Sequence, residues 1–374
     1  MSDGDMRRDA GSEGGGDKQE ADLVTHQSST PQRVFPAEAS SPGENDHLSF
    51  AGLLSPADKI AIAYLAIIAA LIVTSNRRIE YWPHLIAGHA LAIVVIVLIA
   101  KLGRLALLSL SQKFTDSPIP RFSDSPIIRF AALIRGWYVL VLIPVTYKEL
   151  SYLIPLVHPK DYDAEMAAID RWLLGVDPTI WLERITWPPL TDVLQISYST
   201  YYFLPVILGA VLWRKGWFDK FHFFVFILVL GFYLSYLGYV SVPVMGPRFL
   251  PSIKNAQSFA LSGSLFGGEL FRAIRETLDR AEGITRDCFP SGHTELTLLV
   301  LYYARLFHRK TFWIMLPFGA ALIFSTVYLR YHYVIDVIAG ALLALIVILT
   351  ANWLYRALGG LSQVPARTSP TPGT

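Results

Sequence analysis

Charge is scarce in this chain. Asp, Glu, Lys and Arg make up 17% of its 374 residues, against about 25% in a soluble globular domain. The signs nearly cancel, leaving a net charge of +2, which offers no basic surface for nucleic acid. Cysteine is almost absent: Cys288 stands alone, so no intramolecular disulfide framework can form. No apolar run follows Arg7 and Arg8 for about fifty residues, so the N-terminus does not read as a signal peptide. No internal repeat is visible, which argues against a transporter built from inverted repeats. What fills the chain instead is apolar: 53% of residues are hydrophobic and 13% aromatic. That composition points to one all-α, polytopic membrane helix bundle rather than several soluble domains.

Residues 1–52 are rich in Gly, Ser, Pro, Asp and Glu and have little to bury, so they read as a disordered tail. Residues 357–374 read as a flexible C-terminal tail. Between them lie eight apolar runs near the 20 residues needed to cross about 30 Å of hydrocarbon. They are 60–74, 85–100, 130–156, 190–213, 221–242, 294–307, 312–329 and 333–354. Lys148 and Glu149 interrupt the third, and the sixth is short. Lys and Arg cluster in the loops after the second, fourth and sixth runs: Lys101, Arg104, Lys113, Arg121 and Arg129; Arg214, Lys215 and Lys220; Arg305, Arg309 and Lys310. The bias of basic loops toward the cytoplasm places these loops and both termini inside. Arg77 and Arg78 oppose the assignment and are outnumbered.

Three features then converge on the outer side. Arg248, in "VPVMGPRFLP", lies where the fifth helix emerges. His293, in "CFPSGHTELT", opens the sixth, and His332, in "STVYLRYHYVIDV", lies between the seventh and eighth. The two histidines are 39 residues apart, one helical hairpin through the bilayer, so the second returns to the level of the first. Asp336 follows His332 by four residues on the same helix face, where a carboxylate fixes an imidazole tautomer. Pro290 suits a first helical turn. The backbone N–H groups of Ser291, Gly292 and His293 then form an anion site at a helix N-terminus, with Gly292 permitting close approach. Arg248 and Arg330 carry forked donors that match phosphate. One histidine attacking, the other protonating a leaving oxygen, and donors holding the charge outline phosphoryl transfer through a covalent histidine.

These residues resemble the type 2 phosphatidic acid phosphatase superfamily, whose motifs are K-x6-R-P, P-S-G-H and S-R-x5-H-x3-D. The second matches at Pro290, Ser291, Gly292 and His293. The third matches at Ser325, His332 and Asp336, with Thr326 in the arginine position. In the first, Arg248 follows Pro247, and Ser241 stands in the lysine position. These departures, and the run "IDRWLLGVDPTIWLER" from Ile169 to Arg184, resemble the bacterial and fungal branch that contains inositol phosphorylceramide synthases. The resemblance implies a six-helix catalytic core over 129–356, with 53–128 supplying two accessory helices and a basic loop. It implies His332 as nucleophile, Asp336 as its orienter, His293 as general acid and base, and Arg248 as phosphate ligand, without a metal or other cofactor. It further implies a phospholipid or other lipid phosphate as substrate, a lipid alcohol or water as acceptor, and a bacterial inner membrane as location.

Several residues keep two readings. Arg330 either replaces the missing motif arginine or anchors the helix end, and Lys148 either replaces the missing lysine or pairs with Glu149. Glu295 reads as a structural partner or an acceptor contact, and Tyr198, Tyr201 and Tyr202 as packing or a head-group wall. The stretch "GGELFRAIRETLDRAEG" reads as an interfacial amphipathic helix, a lid or a plain cover. Cys288 reads as packing, and two His with one Asp leave a zinc hydrolase open. His89 has no evident partner and reads as interfacial or structural.

Overall fold

The computed structural model describes residues 53–75, 78–111, 126–250, 268–282 and 286–360. The expected tail 1–52 lies outside these residues, as does the tail 357–374 apart from residues 357–360. The helices are α1 (Pro56–Thr74), α2 (Trp82–Ser111), α3 (Pro126–Trp137), α4 (Val139–Val157), α5 (Asp163–Leu174), α6 (Pro178–Trp181), α7 (Pro188–Ser199), α8 (Phe203–Arg214), α9 (Phe218–Ser241), α10 (Glu269–Glu282), α11 (Gly292–Phe307), α12 (Arg309–Tyr328) and α13 (Val334–Ala357).

Among the described residues, seven helical stretches are long and apolar enough to cross a membrane: α1, α2, α3–α4, α7–α8, α9, α12 and α13. The eighth expected run, 294–307, forms α11, which has only 16 residues and a rise of about 24 Å. It is short because the residues before it, including buried Cys288 and Ser291, form an irregular turn sunk into the bundle; α11 still packs along α9, α12 and α13. Two other runs are interrupted. The third breaks at Tyr138, and the fourth bends through a 3₁₀ turn at Thr200–Tyr202, a common device at a functional hinge.

The centre of the bundle is α9, whose residues are mostly buried; it packs against α1, α4, α8, α11 and α13. The short α11 packs among α9, α12 and α13. Large apolar side chains such as Leu91, Leu98, Leu342, Leu349 and Trp353 remain exposed, as a lipid-facing surface requires.

A buried carboxylate on α1 reaches the helices that follow it in sequence. Ser55 and Asp58 close a capping box at the start of α1. Asp58 also accepts both forks of Arg135, at 2.9 and 2.5 Å, and the Tyr138 hydroxyl at 2.5 Å. A buried charge without such partners costs several kcal/mol, so the network fixes α1 to the α3–α4 junction.

Candidate active site

The PSGH segment does not start its helix as the sequence suggests. Ser291, not Pro290, borders α11 and is its N-cap; its hydroxyl accepts the Thr294 N–H at 3.3 Å. Its own N–H donates to the Asp336 carbonyl at 3.0 Å. The expected anion donor at Ser291 is therefore spent on joining α11 to α13. Gly340 allows that approach, since a Cβ there would collide with the Ser291 carbonyl. The expectation for Gly292 changes likewise: the Tyr239 hydroxyl occupies the space its side chain would fill.

His332 sits in the turn between α12 and α13, and it is 3% exposed. The turn forms because Arg330 takes φ 64° and the Thr326 carbonyl accepts both the Tyr331 and His332 N–H groups at 2.9 Å. His332 Nδ1 lies 3.0 Å from the Cys288 carbonyl. A carbonyl only accepts, so Nδ1 carries the proton and Nε2 keeps its lone pair. That Nε2 is 3.4 Å from His293 Nδ1, so the 39-residue spacing brings the two rings together. Asp336 Oδ2 is 3.5 Å from Nδ1 but accepts the Tyr333 N–H at 2.9 Å. The tautomer is thus fixed by a backbone carbonyl, while Asp336 closes the first turn of α13.

Arg248 lies in a 3₁₀ turn, Pro247–Phe249. Its N–H donates to the Arg330 carbonyl at 3.2 Å, and its guanidinium stacks 4.7 Å from the Tyr331 ring. Burial pushes the His332 pKa down to about 4, with Asp287 and the Cys288 carbonyl opposing and Arg248 assisting. The neutral, nucleophilic form therefore persists well below the ordinary histidine range near 6.5. The expected result is a kcat/KM profile, corrected for substrate ionisation, with no acid limb from this group between pH 7 and 5. A limb centred at about 6.5 would show that His332 is solvated or is not the nucleophile.

Sequence reasoning missed Asp287. Burial raises its pKa, while the Tyr147 hydroxyl and the charges of His332 and Arg248 pull it back. Tyr147 donates to Asp287 at 2.5 Å, and both line a pocket of about 210 Å³ with Tyr201, Tyr236, Tyr239 and His293. The signal was a carboxylate beside the PSGH motif in a charge-poor chain.

A family model described as the PAP2 superfamily matches residues 164–350, half of the chain, and spans the Arg248, His293 and His332 segments. The chain belongs to the PAP2 superfamily. A bacitracin transport permease protein of Bacillus licheniformis is 37% identical over 76 residues, 20% of this chain and 37% of that protein. A PA-phosphatase related-family protein of Dictyostelium discoideum is 26% identical over 170 residues, 40% of this chain and 30% of that protein. The chain spans about a third of the length of these curated relatives. No solved structure matches it.

Two of the basic groups expected to complete this PAP2 site stand elsewhere. Lys148 is exposed and lines a separate cavity of about 1010 Å³ between α1, α2 and α4. Successive helical residues point about 100° apart, so Tyr147 faces Asp287 and its neighbour faces away. Arg330 is 1% exposed and ion-paired with Glu183, whose backbone lies in the 3₁₀ turn after α6. This ion pair favours the anchor reading of Arg330 over the phosphate one. Lys148→Gln is expected to leave turnover near that of the parent. Arg330→Lys, which keeps the charge but loses the fork, is expected to cost at least about tenfold, the scale of one charged hydrogen bond. Measured turnover with the opposite ranking would restore Lys148 as the missing motif base.

Other ambiguities resolve in three dimensions. The Tyr198 ring stacks on His293 at 4.5 Å and on Tyr331 at 4.3 Å, and Tyr201 lies 4.2 Å from His293; the bend between α7 and α8 brings both tyrosines there. Glu295 is fully buried and accepts the Ser235 hydroxyl. Glu149 pairs with His89 at 2.9 Å, a partner the sequence did not suggest for that histidine. The amphipathic stretch forms α10, which packs on α7, with Ile274 against a cluster that includes Tyr198 and Tyr331. Donor atoms of Cys288, His332 and Asp336 lie within 4.8 Å of one another. Burial and the charges of Asp287 and Asp336 raise the Cys288 pKa, however, which disfavours the thiolate a metal needs.

Proposed function

We propose that this protein is an integral-membrane enzyme that transfers a phosphoryl or phospho-head group from a lipid to His332, and then to a lipid alcohol or water. The observation that carries the reading is the pair of His332 contacts, Nδ1 to the Cys288 carbonyl at 3.0 Å and Nε2 to His293 Nδ1 at 3.4 Å. In the first step the Nε2 lone pair forms the N–P bond, the P–O bond breaks, and His293, whose buried ring takes up a proton when the negatively charged phosphate offsets the burial that lowers its pKa, gives that proton to the leaving oxygen. In the second, His293 takes the acceptor's proton as the acceptor oxygen attacks phosphorus and the N–P bond breaks. Arg248 supplies positive charge where the transition state spreads negative charge over three oxygens. The scheme requires no metal.

Within this class we favour transfer of inositol phosphate between lipids over hydrolysis of a lipid phosphate or isoprenyl diphosphate. The motif departures at Ser241 and Thr326 support this reading. The pocket beside His293, at about 210 Å³, is below the roughly 300–1,000 Å³ of drug-sized ligand sites, a size for a head group rather than a lipid chain. The test is purified protein in detergent, with chelator, and labelled phosphatidate, isoprenyl diphosphate, and phosphatidylinositol with and without ceramide or diacylglycerol. Label passing from phosphatidylinositol to the added lipid supports transfer, and release to water alone supports a phosphatase. The permease name of the B. licheniformis relative raises transport as a second reading; it predicts translocation in vesicles with no label on His332.

The basic loops support a topology with both termini cytoplasmic and the histidines extracytoplasmic, in a bacterial inner membrane. A reporter active only in the cytoplasm, fused at Gly216 or at Gly283, is expected to work at Gly216 alone. Signal at Gly283 and silence at Gly216 would invert the orientation.

A further inference from the structure

The short helix α5 carries no motif histidine or arginine, yet its stretch touches every segment that does. Asp163, Met166, Ala167 and Asp170 form its buried face, the i, i+3, i+4, i+7 pattern of one helical stripe. Both aspartates use both oxygens on backbone donors of other segments. Asp163 Oδ2 accepts the Met245 N–H at 3.0 Å and Oδ1 the Gly246 N–H at 2.8 Å. These are the residues just before Pro247 and Arg248, where the chain reverses at Gly246 with φ 100°. Asp170 accepts the Val334 and Ile335 N–H groups, each at 2.8 Å.

Val334 and Ile335 begin α13, two and three residues after His332, and their N–H groups have no partner within their own helix. A helix start is ordinarily capped by its own preceding residue. Here that residue is Tyr333, whose hydroxyl goes instead to Asp163 Oδ1 at 3.1 Å. A carboxylate from a different helix therefore does the capping, and its charge suits the positive end of α13. Two further ties close the frame. Tyr162 N–H donates to the Pro243 carbonyl at 2.9 Å, and Asp161 forms a forked ion pair with Arg286, just before the PSGH segment.

Buried carboxylates are costly unless fully hydrogen-bonded, and burial raises the pKa of both Asp163 and Asp170 against their backbone donors. An apolar face would have packed α5 at less cost, but it would not fix two loops by paired, directional bonds. We infer that α5 is a positioning clamp: Asp163 sets the Arg248 turn and Asp170 sets the His332 turn, so one rigid helix fixes the phosphate-binding arginine relative to the nucleophile. Asp163 and Asp170 are positioning residues; they act through Arg248 and His332. The inference rests on the roles proposed above for those two residues.

The two aspartates have separable effects. An Asn side chain keeps the shape but offers one accepting oxygen instead of two, so each Asp→Asn variant loosens one turn. With steady-state kinetics on the lipid substrate, Asp163→Asn is expected to raise KM about tenfold, the scale of one charged hydrogen bond, with kcat little changed. Asp170→Asn is expected to lower kcat and the rate of His332 labelling by a similar factor, with KM little changed. A merely structural loss lowers the amount of active enzyme in both variants and moves neither KM nor the split. Equal effects on both parameters in both variants overturn the clamp.

Amide hydrogen exchange on the full-length protein gives a readout independent of activity. Exchange is expected to rise at Met245 and Gly246 in Asp163→Asn, and at Val334 and Ile335 in Asp170→Asn, each without the other. Exchange that rises globally, or at neither turn, overturns the inference even in a protein that shows no turnover. Loss of label on His332 in the parent protein with the local exchange pattern intact rejects the proposed function alone. Asp163→Glu and Asp170→Glu, which keep the charge but displace the oxygens by one methylene, supply the same comparison where an Asn variant does not fold.

Discussion

His332→Ala is expected to abolish turnover and, with it, every trace of covalent phospho-enzyme. The imidazole is the group whose lone pair the structure leaves directed at a second histidine, because the Cys288 carbonyl takes the proton-bearing nitrogen at 3.0 Å. Removing a nucleophile from a two-step displacement leaves no first step to slow; what remains is substrate binding and the electrostatics of Arg248. Losses of about 10⁴-fold or more are expected when the attacking group of such a unit is deleted. The check is rapid quench with head-group-labelled lipid, followed by acid and base stability of the label, since a phosphohistidine is acid-labile and base-stable. His332→Ala that turns over near the parental rate removes the nucleophile assignment.

His293→Ala is expected to lower turnover by about a hundredfold or more, the range for a positioned acid or base, while still allowing the covalent intermediate from a substrate with a good leaving group. The distinction follows from the proposed roles. His293 serves the leaving oxygen, so its loss matters least when that oxygen departs without a proton. Burst kinetics with a nitrophenyl phosphodiester and with the natural lipid separate the cases: a preserved burst with the activated substrate and none with the lipid is the expected pattern. Equal loss with both substrates would make His293 a structural neighbour of His332, held by the Tyr198 and Tyr201 rings at 4.5 and 4.2 Å.

The sequence by itself determined the helical membrane class, since so few charges and so many apolar runs leave no other packing. It also determined the level of the two histidines, because helix rise and bilayer thickness convert a 39-residue spacing into a return to the same depth. It carried the family through PSGH and HxxxD. Side-chain roles that depend on neighbours distant in sequence were beyond it. Nothing at position 288 indicates that its backbone carbonyl orients a ring 44 residues away, and no local pattern pairs Arg330 with Glu183 across 147 residues. Only the folded chain decided that Lys148 points away while Tyr147 points in, because the direction of a helix face is fixed by packing. Only it decided that the PSGH turn uses its Ser291 N–H on α13, and that the carboxylates framing both motif turns come from α5. Periodicity and hydropathy are local and survive in one dimension. Hydrogen-bond partners and burial depend on which segments meet, which the tertiary fold alone specifies.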